Sequence, residues 1–131
     1  MSFQVRLIAP EGVIVKEQAI SVKVPTAKGD IGVMSNHVDY VGLLDVGVAT
    51  IELEDGTKKD YVVRDGLCRI ESGNCDLITD RVVFASEKNG RDLASEIEML
   101  KKTLDSTSLF DPAWDVKRSD LKELEALKAL Q

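Results

Sequence analysis

His37 is the one imidazole in a chain of 131 residues, so acid–base chemistry near neutral pH has a single place to happen. Asp39 and Tyr40 follow it closely. A hydrolase would also need a hydroxyl held on a tight elbow, or a thiolate paired with that ring, and neither pattern surrounds this histidine. His37 therefore reads as a structural or contact residue rather than a base. Cys68 and Cys75 lack the second pair of ligands that a zinc site requires. No Gly-rich phosphate cradle runs into Lys-Ser or Lys-Thr, no Gly-x-Gly-x-x-Gly follows a strand, and no acids repeat at calcium-loop spacing. The expected inventory is no catalytic residue, no metal and no cofactor.

The elements around these residues follow from patterning. From Phe3 to Phe84 the apolar residues come in short β-branched runs broken by Gly, Asp and Asn, the pattern of an antiparallel β-sandwich or barrel. Strands are expected over Gln4–Ile8, Val13–Val24, Ile31–Met34, Val48–Glu54, Lys58–Arg64, Leu67–Glu71, Asn74–Thr79 and Val82–Phe84. An Asp55-Gly56-Thr57 loop would set Ile51 opposite Tyr61 and Ala49 opposite Val63. A turn at Ser72-Gly73 sets Cys75 opposite Ile70, placing Cys68, Ile70, Cys75 and Leu77 on one face and Arg69, Glu71 and Asp76 on the other. The two thiols are then diagonal neighbours at roughly 7–8 Å, too far for an unstrained disulfide. Both are expected as reduced core residues.

Beyond Phe84 the period changes. Leu93, Ile97, Leu100 and Leu104 share one face of a helix starting near Asp92. A second helix, capped by Asp111 with Pro112 at its first position, gathers Ala113, Val116, Leu124 and Leu127 on one side, flanked by Leu121 and Leu130. The break between them is Asp105–Phe110. Residues 1–86 thus form a β domain and 87–131 an antiparallel helical hairpin, whose helices are near the ~12–15 residues at which isolated helices are marginal. The hairpin needs support, or it moves.

Composition narrows the partners. With 17 basic against 23 acidic residues and a net charge of -6, the chain has no basic cluster suited to nucleic acid. No apolar run approaches the ~18 residues that span a bilayer, and no basic-then-apolar leader opens the chain. A soluble, unprocessed protein in a reducing compartment is expected.

Four segments carry a resemblance. Gly29-Asp30-Ile31-Gly32-Val33-Met34-Ser35-Asn36-His37, Leu7-Ile8-Ala9-Pro10-Glu11-Gly12-Val13, and the pair Asp65-Gly66-Leu67-Cys68-Arg69-Ile70 and Asn74-Cys75-Asp76-Leu77-Ile78-Thr79-Asp80 are similar to the F-type ATP synthase epsilon subunit. The two-helix tail extends that similarity over essentially the whole chain. The resemblance implies a non-catalytic rotor subunit in the central stalk, peripheral to the cytoplasmic face of a bacterial inner membrane. Its implied partners are the gamma subunit, the membrane ring of c subunits and the alpha and beta subunits of the catalytic head. The implied ring contact is the segment Gly29–Tyr40, with Asp30, Ile31, Val33, Met34, His37 and Asp39. There an acid, a flexible thioether and an imidazole suit a polar ring loop bearing basic residues. An extended hairpin would inhibit ATP hydrolysis.

The chain departs from the family at Ser35 and Asp39, where proline is usual. It departs again at the Ile/Leu-Asp-x-x-Arg-Ala motif through which some bacterial members bind ATP. Here the sequence reads Leu93-Ala94-Ser95-Glu96-Ile97-Glu98, and even with Asp92 as the acid no Arg follows on the first helix. No ATP site is expected. The residues alone leave two other readings open, an unrelated β-sandwich binding module with a dimerising hairpin and a small enzyme built around His37, which would need a pocket holding that residue beside a perturbed acid or nucleophile.

Overall fold

The computed structural model describes residues 2–35, 38–84 and 91–129. β1 (Phe3–Ala9) alternates strictly, with Phe3, Val5, Leu7 and Ala9 turned inward, because a strand sends successive side chains to opposite faces. β2 (Gly12–Thr26) is long enough to serve two layers: its first half pairs with β1, and its second half with β3 (Gly29–Met34) and β5 (Gly47–Leu53). β4 (Tyr40–Leu44) pairs with the second half of β6 (Lys58–Glu71), and β7 (Asn74–Phe84) runs beside the whole of β6. The result is one seven-stranded sheet folded over on itself. Leu7, Val22, Ile51, Ile70 and Leu77 close the space between its layers, all essentially without exposed surface.

Four details depart from the sequence pattern. The pairing is antiparallel except between β1 and β7, the first and last strands, which lie parallel because no hairpin joins them. β6 and β7 are each one strand, not two. The Asp65-Gly66 break is a kink inside β6, with φ of 54° and 121°. A Cβ at Gly66 would lie 1.9 Å from the Ile78 carbonyl oxygen, so only glycine fits there. The short β4, interrupted by Gly42, gives no run long enough to stand out in the sequence. Finally, Glu54-Asp55-Gly56 is the turn, so Ala49 faces Tyr61 and Ile51 faces Lys59. Gly56, at φ +86°, supplies the left-handed residue that closes a three-residue hairpin loop, and an Asp55-Gly56-Thr57 loop would leave it in the middle. The shift is by two residues, so the buried face is unchanged.

The turn at Ser72-Gly73 does put Cys75 opposite Ile70. Both thiols are free and fully buried. They contact each other, and that hydrogen bond together with burial pushes the Cys75 thiol far above its ordinary range.

α1 (Leu93–Asp105) starts at Asp92, whose carboxylate caps the Ser95 amide at 3.2 Å and binds the Ser95 hydroxyl at 2.7 Å. α2 (Ala113–Ala129) starts after Asp111, which accepts from the Ala113 amide at 2.9 Å. Leu93, Ile97 and Leu127 are buried, and Leu124 packs beside them. Val116 is exposed, although it shares the face of α2 that carries Asp120, Glu123 and Leu127 to the sheet. The domain boundary at 86/87 lies outside the described residues, as does Leu130.

Candidate functional site

The hairpin meets the sandwich at a small apolar seat ringed by charge. Val62 and Val83 from β6 and β7 form a cluster with Leu93 and Leu127, with Val48 and Leu124 at its margin. Beside it Arg64, next to the β6 kink, points its guanidinium at Asp120 and at Glu123, 2.9 Å away. Arg81 reaches the other Glu123 oxygen at 3.3 Å, and Lys122 reaches back to Asp45 at 3.3 Å. Burial opposes the charge on Arg64, but Asp120 and Glu123 outweigh it and hold the group ionised above its ordinary value. The Thr79 hydroxyl fixes the kink, accepting from the Arg64 amide at 3.0 Å and donating to its carbonyl at 2.9 Å. Glu123, with its side chain only 9% exposed, gives no sequence signal, because an acid on an otherwise polar helix face looks solvated.

A cleft of about 500 Å³ opens between the two helices and β7. Its charged lining is Arg81 and Arg91 against Glu96, Asp120 and Glu123. Arg91 is engaged by Glu96 at 2.8 Å, and Asp92 is occupied as the cap of α1. Two cations against three anions make poor surroundings for a polyphosphate.

The residues of the Gly29–Tyr40 segment do not act together. Gly29–Met34 is a strand, as expected over Ile31–Met34, and is paired along its length with β2. Asp30 is exposed and paired with Lys23 at 3.4 Å, and Met34 is 65% exposed. Val33 corrects the expectation: it has no exposed surface and belongs to the core, because strand alternation turns it away from Met34. Ile31 packs partly on the same core. Asp39 turns toward the β6–β7 hairpin and accepts from the Ser72 amide at 3.1 Å. His37 lies outside the described residues. Among the described members of the expected contact, Asp30, Met34 and Asp39 have exposed side chains.

No group of three or more His, Cys, Asp or Glu residues suited to a metal occurs among the described residues. Nor does any described helix have the length and apolarity to cross a membrane.

Comparison with known proteins places this geometry. The family model described as "ATP synthase, Delta/Epsilon chain, beta-sandwich domain" matches residues 2–85. The ATP synthase epsilon chain of Mesorhizobium japonicum is 32% identical over 101 residues, 77% of this chain and 75% of that one. The epsilon chain of Rhizobium etli is 30% identical over 110 residues, 84% of this chain and 82% of that one. Among solved structures, a chain of the Euglena gracilis mitochondrial ATP synthase OSCP/F1/c-ring assembly superposes with a TM-score of 0.84 at 25% identity, covering 98% of this chain and 80% of that one. A chain of the Tetrahymena thermophila mitochondrial central stalk and c-ring shares the fold, with a TM-score of 0.64 at 11% identity over 98% and 95% of the two chains.

Proposed function

The chain belongs to the ATP synthase delta/epsilon family, and from that premise we propose that it works as the epsilon subunit of the central stalk, carrying rotation without catalysing a reaction. The observation that carries this reading is the match across residues 2–85, continued by a helical hairpin seated on the sandwich. In this role the β domain is the platform held by the gamma subunit and the membrane ring of c subunits, with Asp30 and Met34 nearest the ring. The hairpin is the regulatory part. Undocked, it reaches the alpha and beta subunits of the catalytic head and restrains ATP hydrolysis. The subunit sits peripherally at the membrane, on the cytoplasmic face in a bacterium. The occupied Asp92 and the acidic lining of the helical cleft support a hairpin that does not use ATP as its ligand.

Reconstitution tests the proposal. Complexes of gamma, ring and catalytic head prepared without this subunit should regain coupled ATP synthesis when the chain is added, and removing residues 92–131 should raise ATP hydrolysis. Asp30→Lys should weaken attachment to the ring while leaving the melting temperature nearly unchanged, because an exposed charge contributes little to folding. A chain that binds neither gamma nor the ring would contradict the assignment. Normal ring attachment in an Asp30→Lys, Met34→Glu double variant would move the contact elsewhere.

A further inference from the structure

Two nucleophilic side chains have no part in the rotor role. Cys68 on β6 and Cys75 on β7 are free thiols without exposed surface. Cys68 pairs across the strands with Leu77 and Cys75 with Ile70, so the thiols stand at the two ends of a diagonal on the inward face. There the two sulfurs are in hydrogen-bond contact with each other. The cluster around them is otherwise hydrophobic, with Val5 of β1 paired to Cys75. Asp76, next in the chain, turns to the outer face, where Arg6 and Arg69 hold it.

A diagonal of this kind separates the two backbones by roughly 7–8 Å, beyond what a sulfur–sulfur bond of about 2.05 Å closes without moving them. A metal ion in line between the sulfurs reaches further, spanning about 4.6 Å, twice a metal–thiolate bond of about 2.3 Å. Zinc does not fit, because it takes four ligands and no group of three or more His, Cys, Asp or Glu residues lies together among the described residues. Thiolates select soft ions, and charge selects among these. Two thiolates around a monovalent ion would leave a net negative charge in an apolar core, which is costly, whereas a divalent ion leaves the site neutral.

From this contact, burial and charge we infer that Cys68 and Cys75 form a two-coordinate site for a soft divalent ion, the mercuric ion, held in line between the two thiolates. Binding displaces one proton from each thiol and forms two sulfur–mercury bonds; both protons leave to water, and no electron changes hands. The way in is short. Cys75 stands two residues past Gly73 of the β6–β7 turn, so opening that end of the hairpin exposes it while the rest of the sandwich stays folded. Once closed, the same burial shields the ion from thiols in solution, and exchange proceeds at the rate of that opening.

The test titrates mercuric chloride into the reduced full chain in the presence of excess glutathione, which strips loosely held ions. Native mass spectrometry should show one mercury per chain with two protons lost, and circular dichroism an unchanged β-sheet signal. X-ray absorption should show two sulfur neighbours at about 2.3 Å and no third. In Cys68→Ala and in Cys75→Ala, retention against glutathione should fall by about a hundredfold or more, because the second thiolate acts at a high effective concentration. Two mercury ions per chain, a glutathione adduct on the bound metal, loss of the β-sheet signal on binding, or no retained mercury would each overturn the inference. If an alanine variant fails to fold, mass and absorption spectra of the unmodified chain decide: two protein sulfurs sustain the site, and any other ligand set refutes it.

Discussion

Among the described residues, seventeen buried ones from Phe3 to Leu77 make one apolar cluster between the two layers of the sandwich, whereas the cluster that seats the hairpin has four, Val62, Val83, Leu93 and Leu127. Charge divides the two regions the other way. The sandwich interior among the described residues is almost purely apolar, while the hairpin is held by Arg64, Arg81 and Lys122 reaching across to acids. Apolar burial scales with area and holds wherever the surface is covered, but an ion pair is worth what its geometry and water exclusion allow. An interface that is small and polar within one chain favours relative motion of its two sides. One sequence thus builds a platform meant to stay folded and an appendage that can leave it.

The largest expected effect lies in the platform. Leu77→Ala should cost about 2–5 kcal/mol of global stability, read by denaturant unfolding, because the close-packed core cannot collapse around the missing side chain. Glu123→Ala should cost about 1–3 kcal/mol, felt only in hairpin docking, since it strips a charged partner from Arg64 and Arg81. Fluorescence of Trp114 on α2 would report that loss while the sandwich keeps its melting temperature. A chain ending before Asp92 should still unfold cooperatively, with its melting temperature lowered by a few degrees at most; loss of the transition would show that the two regions share one core.

A smaller effect follows from Asp76. The hydrogen bond from Arg6, followed by that from Arg69, holds its carboxyl below the usual carboxylate range. Because the folded-state value is the lower one, this contribution is present above about pH 4, the unfolded value, and is lost as the pH falls below it. In Arg6→Leu the acid dependence of stability below about pH 4 should therefore flatten.

The comparison also explains what the sequence made legible. Alternation in β1 and the helical period of Leu93, Ile97, Leu100 and Leu104 are local signals, and both elements stand where the pattern puts them. The Asp111 cap and the helix start near Asp92 were legible for the same reason, whereas the capping role of Asp92 itself was not read. Docking was not, because it depends on residues far apart: Arg64 and Glu123 are 59 positions from each other, and neither is unusual in its own segment. The Gly29–Tyr40 segment lay between these cases. Ile31–Met34 read as a strand, yet only its pairing with β2 extends that strand back to Gly29 and draws Val33 into the core. β4 escaped notice because five residues with a central glycine carry little period of their own.

Native-state hydrogen exchange on the full chain tests the central claim most directly. Helices of 13 and 17 residues melt once detached, so undocking exposes their amides together. The account predicts that amides of α1 and α2 share one opening free energy well below that of β1, β2 and β7, and that added salt widens the gap by weakening the Arg64 and Arg81 contacts. A common opening free energy for helices and strands, unmoved by salt, would contradict it.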